Sequence, residues 1–197
     1  MNVSQTEQAT ALLAAMHALD DRAVELERIA DPAALDWQPP AGGWSAGQVF
    51  EHLCVANDSY LVPLRRLLGS ESPSGSMARA VEAAWRPSLA GRFLVRSMES
   101  PRKLPAPKMW RPAPAPRPDV IAEFLQRQRV IEALIERSRS VEWRRVRLAS
   151  PVSGLIRMNV GDAFTILVRH AERHFRQIDR VLAGYRATGA GQAFAGR

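Results

Sequence analysis

The strongest constraint on this chain is a hydrophobic repeat. In four separate stretches apolar residues return every three or four positions, the spacing of one face of an α-helix. From about Gln5 to Ile29 the stripe is Leu12, Leu13, Met16, Leu19, Ala23, Leu26 and Ile29. From Ser45 it reads Val49, His52 with Leu53, Ala56, Tyr60, Leu64 and Leu67. From about Pro118 to Arg139 it is Val120, Ile121, Phe124, Leu125, Gln128, Ile131, Leu134 and Ile135. From about Val160 to Tyr185 it is Val160, Ala163, Phe164, Leu167, His170, Ala171, His174, Ile178 and Val181. Four helices, each with one face to bury, predict an all-α four-helix bundle. No internal repeat and no convincing strand pair stands out.

Local signals mark where these helices start and stop. Ser45 followed by Gln48 fits a capping box, Asn159 is placed to cap the last helix, and Asp162 suits the positive end of its dipole. Asp31-Pro32 closes the first helix, and Trp37 to Trp44 reads as a turn-rich loop. Pro63 falls late in the second helix and should kink it or lift its last turn. Between Gly69 and Asp119 the pattern loosens, with a shorter helix or two expected within Met77–Met98. Six of the chain's 14 prolines lie between Pro105 and Pro118. So long and proline-rich a crossover between the second and third helices is expected to wall or lid one end of the bundle. The direction of the third helix relative to the second stays open.

The 197 residues suffice for one domain, expected over 1–185, with a Gly/Ala-rich tail at 186–197. No apolar run approaches the roughly 20 residues that cross a bilayer. The first ten residues are polar and unlike a signal peptide, so the expected location is cytoplasmic. The formal net charge is +7, carried almost wholly by arginine. Those arginines are scattered among acidic residues without a basic stripe, which argues for a solvated surface and against nucleic acid or membrane as a partner. Cys54 is the single cysteine, which excludes an internal disulfide and a cysteine-rich metal site. It is expected to be a buried, inert thiol.

Three of the four histidines lie on inward stripes. His170 and His174 are four residues apart, so their side chains leave one helical face about 6 Å from each other. His52 occupies the inward stripe of another helix, and bundles build metal sites from facing helices in this way. A single inward histidine is usually a hydrogen-bonded core residue. Two imidazoles side by side in a dry core are harder to accommodate, because they repel when protonated and need separate acceptors when neutral. One metal ion removes both difficulties. His17 has no partner histidine nearby in sequence and is not expected to join them. Glu172 lies two residues after His170, about 200° round the helix, and so does not form the His-Glu-x-x-His arrangement of zinc proteases. Three protein ligands would leave a coordination position open to water or substrate. Imidazoles suit zinc, nickel, copper or iron. Glu51, Asp58 and Gln177 are the candidates to orient the rings, although Glu51 and Gln177 fit ordinary surface or inter-helix contacts better.

The stretch from Trp44-Ser45 through Glu51-His52, the segment His170-Ala-Glu-Arg-His174-Phe-Arg-Gln177-Ile, and the proline-bracketed Pro107-Lys-Met-Trp-Arg-Pro112 together resemble the DinB/YfiT-like superfamily. The resemblance runs in order along nearly the whole chain. It implies a four-helix bundle, often a homodimer, with a divalent metal held by His52, His170 and His174, zinc or nickel foremost. Relatives include bacillithiol- and mycothiol-dependent S-transferases and a thiol-dependent maleylpyruvate isomerase. The expected function is therefore metal-dependent chemistry on a small molecule, with a low-molecular-weight thiol as second cofactor. A metal-dependent hydrolase and a non-catalytic stress-response or binding protein are the alternatives. No catalytic residue is assigned.

Overall fold

All four apolar stripes are helices in the computed structural model, which describes residues 3–29, 31–69, 83–99 and 106–188. The first is α1 (Gln5–Ile29); α2 (Pro32–Asp36) is a single extra turn, and the second stripe is α3 (Ala46–Leu68). After α4 (Leu89–Glu99) and a 3₁₀ turn at Lys108–Trp110 come α5 (Val120–Ser138) and α6 (Val160–Ala187). Asp31 opens α2 by accepting the Ala33 N–H, so the chain turns once more beyond the end expected for α1. Of the looser region expected to hold a helix or two, residues 77–82 lie outside the described part, and α4 is the one helix among the described residues that remain.

The long helices pack pairwise, α3 on α5 and α6, and α1 on the same two. Contacts along α3 and α5 rise together in number, from Cys54 against the Val120 carbonyl to Asp58 with Arg127 and Gly69 with Arg137, so the two run parallel. The crossover thus joins helices of like direction. Against α6, α3 is antiparallel: Trp37 meets Tyr185 and His52 meets His170. Phe50, Phe124 and Phe175 knit α3, α5 and α6 together, with ring centroids 5.4, 5.6 and 5.7 Å apart. Each such aromatic pair is worth about 0.5–1.5 kcal/mol beyond its area burial, which sets the register of α3 against α6 next to the histidines.

Two small antiparallel sheets overturn the expectation of no strand pair. Strand β1 (Val3–Ser4) pairs with β2 (Ala84–Trp85), and β3 (Arg147–Ser150) pairs with β4 (Ser153–Asn159). The β3–β4 hairpin leaves little trace in the sequence for a physical reason. Only Leu148 and Ser150 of β3 alternate inward, and Leu155 of β4 stands fully in solvent, so the in-out pattern of a strand is nearly erased. The hairpin runs directly into α6 and so fixes where that helix starts. Helix α3 continues through Pro63 to Leu68. Among the described residues no helix is long and apolar enough to cross a membrane.

Candidate metal centre

Two capping boxes start the helices that carry the histidines. Ser45 accepts the Gln48 N–H while the Gln48 side chain accepts the Ser45 N–H, and Asn159 and Asp162 do the same for α6. Each cap is worth about 1 kcal/mol and fixes its helix's first turn. From α3, His52 points at α6; His170 and His174 come back from α6. One ring nitrogen from each lies within 4.8 Å of the others. The three ring centroids are 4.6–5.0 Å apart, and Nε2 of His52 is 3.1 Å from Nε2 of His170.

Acceptors behind two of the rings decide which nitrogens face inward. His52 Nδ1 lies 2.7 Å from the Trp110 carbonyl, which can only accept, so Nδ1 carries the proton and Nε2 is bare. His174 Nδ1 lies 3.0 Å from the Gln177 side-chain oxygen, with the same consequence. Burial keeps the rings neutral. His52 is 2% and His174 9% exposed. Burial lowers the pKa of His52 against the opposing bond to Trp110. His174 is pushed down to about 3, by burial first and then by His52. His170 is held well below the usual imidazole value by burial, then by His174 and His52, although part of its surface still meets solvent.

Three neutral imidazoles turning lone pairs toward one point fit a divalent metal ion. The 3.1 Å between Nε2 atoms is close to the separation of about 3.3 Å that two bonds of 2.0–2.1 Å make at a tetrahedral ion. Without a cation, only one proton could bridge His52 and His170, and His174 would keep a bare lone pair in a buried cluster. His170 supplies the solvent-facing side from which a ligand could enter.

The proline-rich segment walls this centre. Gln48 donates to the Ala113 and Pro114 carbonyls, at 3.1 and 2.9 Å, and Arg117 binds Glu51 at 3.0 Å. At Gly47 a Cβ would sit 2.7 Å from the Pro116 ring, so only glycine lets the segment lie this close to α3. Held there, it delivers the Trp110 carbonyl to His52 and the Trp110 ring to His170, centroids 6.2 Å apart. Trp44 covers His52 from the other side at 4.9 Å. Trp110 is 6% exposed, and its indole N–H is buried without an acceptor, a spare donor in the wall.

The remaining residues singled out by the sequence fall as follows. His17 is exposed on α1 beside Glu132 and takes no part. Glu172 faces Arg169 across one turn, away from the centre. Cys54 is fully buried, and burial pushes its thiol up to about 12, as an inert core residue requires. Gln177 does orient a ring. Glu51 is buried, not a surface group, and its carboxylate belongs to Arg117; Asp58 belongs to Arg127. Neither carboxylate is a free base. Trp110 was visible in sequence only as a tryptophan between prolines, with nothing to say that its carbonyl would meet His52.

The family model of the DinB superfamily matches residues 6–178. The chain belongs to the DinB superfamily. The match starts at the second residue of α1 and ends four residues past His174, so this DinB-superfamily region contains all three histidines and the wall around them. No curated protein and no solved structure matches the chain.

Proposed function

We propose that the protein is a metal-dependent DinB-superfamily enzyme. In this reading His52, His170 and His174 bind one divalent metal, and a low-molecular-weight thiol is activated for S-transfer. The observation that carries the proposal is the convergence of three neutral imidazoles, two with their tautomers fixed by Trp110 and Gln177. The same reading makes residues 1–185 one four-helix bundle of the DinB type, cytoplasmic and homodimeric, working on a small molecule. A divalent cation at such a site lowers the pKa of a coordinated thiol or water, supplying a nucleophile near neutral pH.

The protein's own residues do the rest. Gln177 and the Trp110 carbonyl hold two rings in place. Trp44 and Trp110 exclude water from the inner side, and the solvent-facing edge of His170 leaves the approach for a thiol and an electrophile. In the transfer, the thiolate sulfur forms a bond to the electrophilic carbon as the leaving group departs with its electron pair, and the thiol proton passes to solvent. A hydrolase is less well supported, because Glu51 and Asp58, the carboxylates nearest in sequence to His52, are already engaged by arginines.

The test is conjugation of monochlorobimane with a panel of small thiols, with and without added zinc or nickel. Metal-dependent product with at least one thiol, lost in His52→Ala, is the expected result. No turnover with any thiol by the metal-loaded protein would refute S-transfer.

A further inference from the structure

On its other side α6 borders a half-open cavity. It has a volume of about 420 Å³ and lies between α4, β2 and α6, a size within the roughly 300–1,000 Å³ of small-molecule pockets. Thr165 lines it from α6. Thr165 and His174 are nine residues apart, which places them about 180° apart round the helix, on opposite faces. The cavity is therefore separate from the histidine centre.

Its walls have a definite chemistry. Trp85 of β2 and Val95 of α4 provide apolar surface. Trp85 is set rigidly against α6, because Gly161 leaves no side chain where the indole packs. Arg92, Arg96 and Glu99 share one face of α4 with Val95, being three, four and seven residues along from Arg92. The uncharged polar groups are already used: the Thr165 hydroxyl donates to the Gly161 carbonyl and the Trp85 N–H to Asn159. The guanidiniums are not. Among the described residues neither Arg92 nor Arg96 has an ion pair or a side-chain hydrogen bond.

Among the described residues many arginines are unpaired, but several with a glutamate three residues away do pair. Arg28 pairs with Glu25, Arg139 with Glu136, Arg145 with Glu142 and Arg169 with Glu172, all three residues apart. Arg96 and Glu99 have the same spacing as Arg169 and Glu172 and do not pair. Two unpaired cations one turn apart repel each other, and an anion between them removes that cost.

We propose that the α4–α6 cavity binds a small amphipathic anion. Its apolar or aromatic body lies against Trp85 and Val95, and its carboxylate, sulfonate or phosphate is received by Arg92 and Arg96. Planar guanidiniums suit such oxyanions, often in paired hydrogen bonds. The site stands independently of any metal.

The probe is naphthalene-1-sulfonate, titrated calorimetrically into the full-length protein, with the uncharged 1-naphthalenemethanol beside it. The expected result is saturable 1:1 binding of the sulfonate. It should weaken about tenfold or more in Arg92→Ala/Arg96→Ala and disappear in Val95→Trp, which fills the cavity. Binding should persist when a chelator strips the metal, so the outcome is read apart from the histidine centre. No sulfonate binding at millimolar concentration, equal binding of the alcohol, or unchanged binding in either variant would overturn the proposal.

Discussion

Two buried clusters of titratable groups lie between the helices, and they are built on opposite plans. Between α3 and α6 the three histidines are neutral, and two have an acceptor behind them, so bare nitrogens point inward. Between α1 and α5, Asp20 and Glu132 face each other near Gln128; one oxygen of each carboxylate and the amide nitrogen of Gln128 are buried without a well-formed hydrogen bond, and His17 lies 3.5 Å from that Glu132 oxygen. Burial raises the Asp20 pKa to about 7, helped by Glu132 and opposed by Gln128 and His17. The first cluster is directed at a point; the second is merely tolerated. Burial alone does not make a site. What separates the two is the set of acceptors that fixes where the lone pairs go.

The largest test of that difference removes an acceptor without touching a histidine. Gly47→Val drives a side chain into Pro116 and displaces the segment that brings the Trp110 carbonyl to His52. Metal affinity measured by competition with a chelator should fall about 10–100-fold, with the helical circular dichroism spectrum retained. An unchanged affinity would show that the wall does not orient His52. Gln177→Leu removes the acceptor of His174 alone and should cost about tenfold in the same assay. An effect as large as that of Gly47→Val would mean that the two acceptors are not independent.

The carboxylate cluster is tested by pH. Asp20 is more basic in the folded protein than the roughly 3.9 of an unfolded aspartate, so folding favours its protonated form. Its contribution to stability is fully present below about pH 4 and is lost as the pH rises toward about 7. Asp20→Asn should therefore raise the melting temperature at pH 8, by a few degrees for a domain of this size, and change it little at pH 4. A variant less stable than the parent at pH 8 would show that the carboxylate is satisfied in a way the geometry does not reveal.

The helices and the triad were legible because both rest on local spacing. Apolar residues at three and four placed α1, α3, α5 and α6 to within about two residues, and His170 and His174 share a face by that same rule. Ser45 with Gln48 was equally readable as a capping box; Asn159 was readable as a cap, while Asp162 was read only as a charge suited to the helix dipole and proves to close a second box. What escaped depends on distant partners or on weak alternation. Glu51 is buried through Arg117, 66 residues away, and the carbonyl that fixes His52 belongs to Trp110, 58 residues away. No spacing rule spans a proline-rich crossover. The β3–β4 hairpin escaped because Leu155 points into solvent.

The central claim is that His52, His170 and His174 form one metal site, and metal stoichiometry tests it most directly. Elemental analysis after equilibrium dialysis against zinc or nickel should give one ion per chain for the parent protein. It should give far less than one for His52→Ala, His170→Ala and His174→Ala, each checked for folding by circular dichroism. A folded parent that takes up neither metal, or folded variants that keep a full equivalent, would contradict the account.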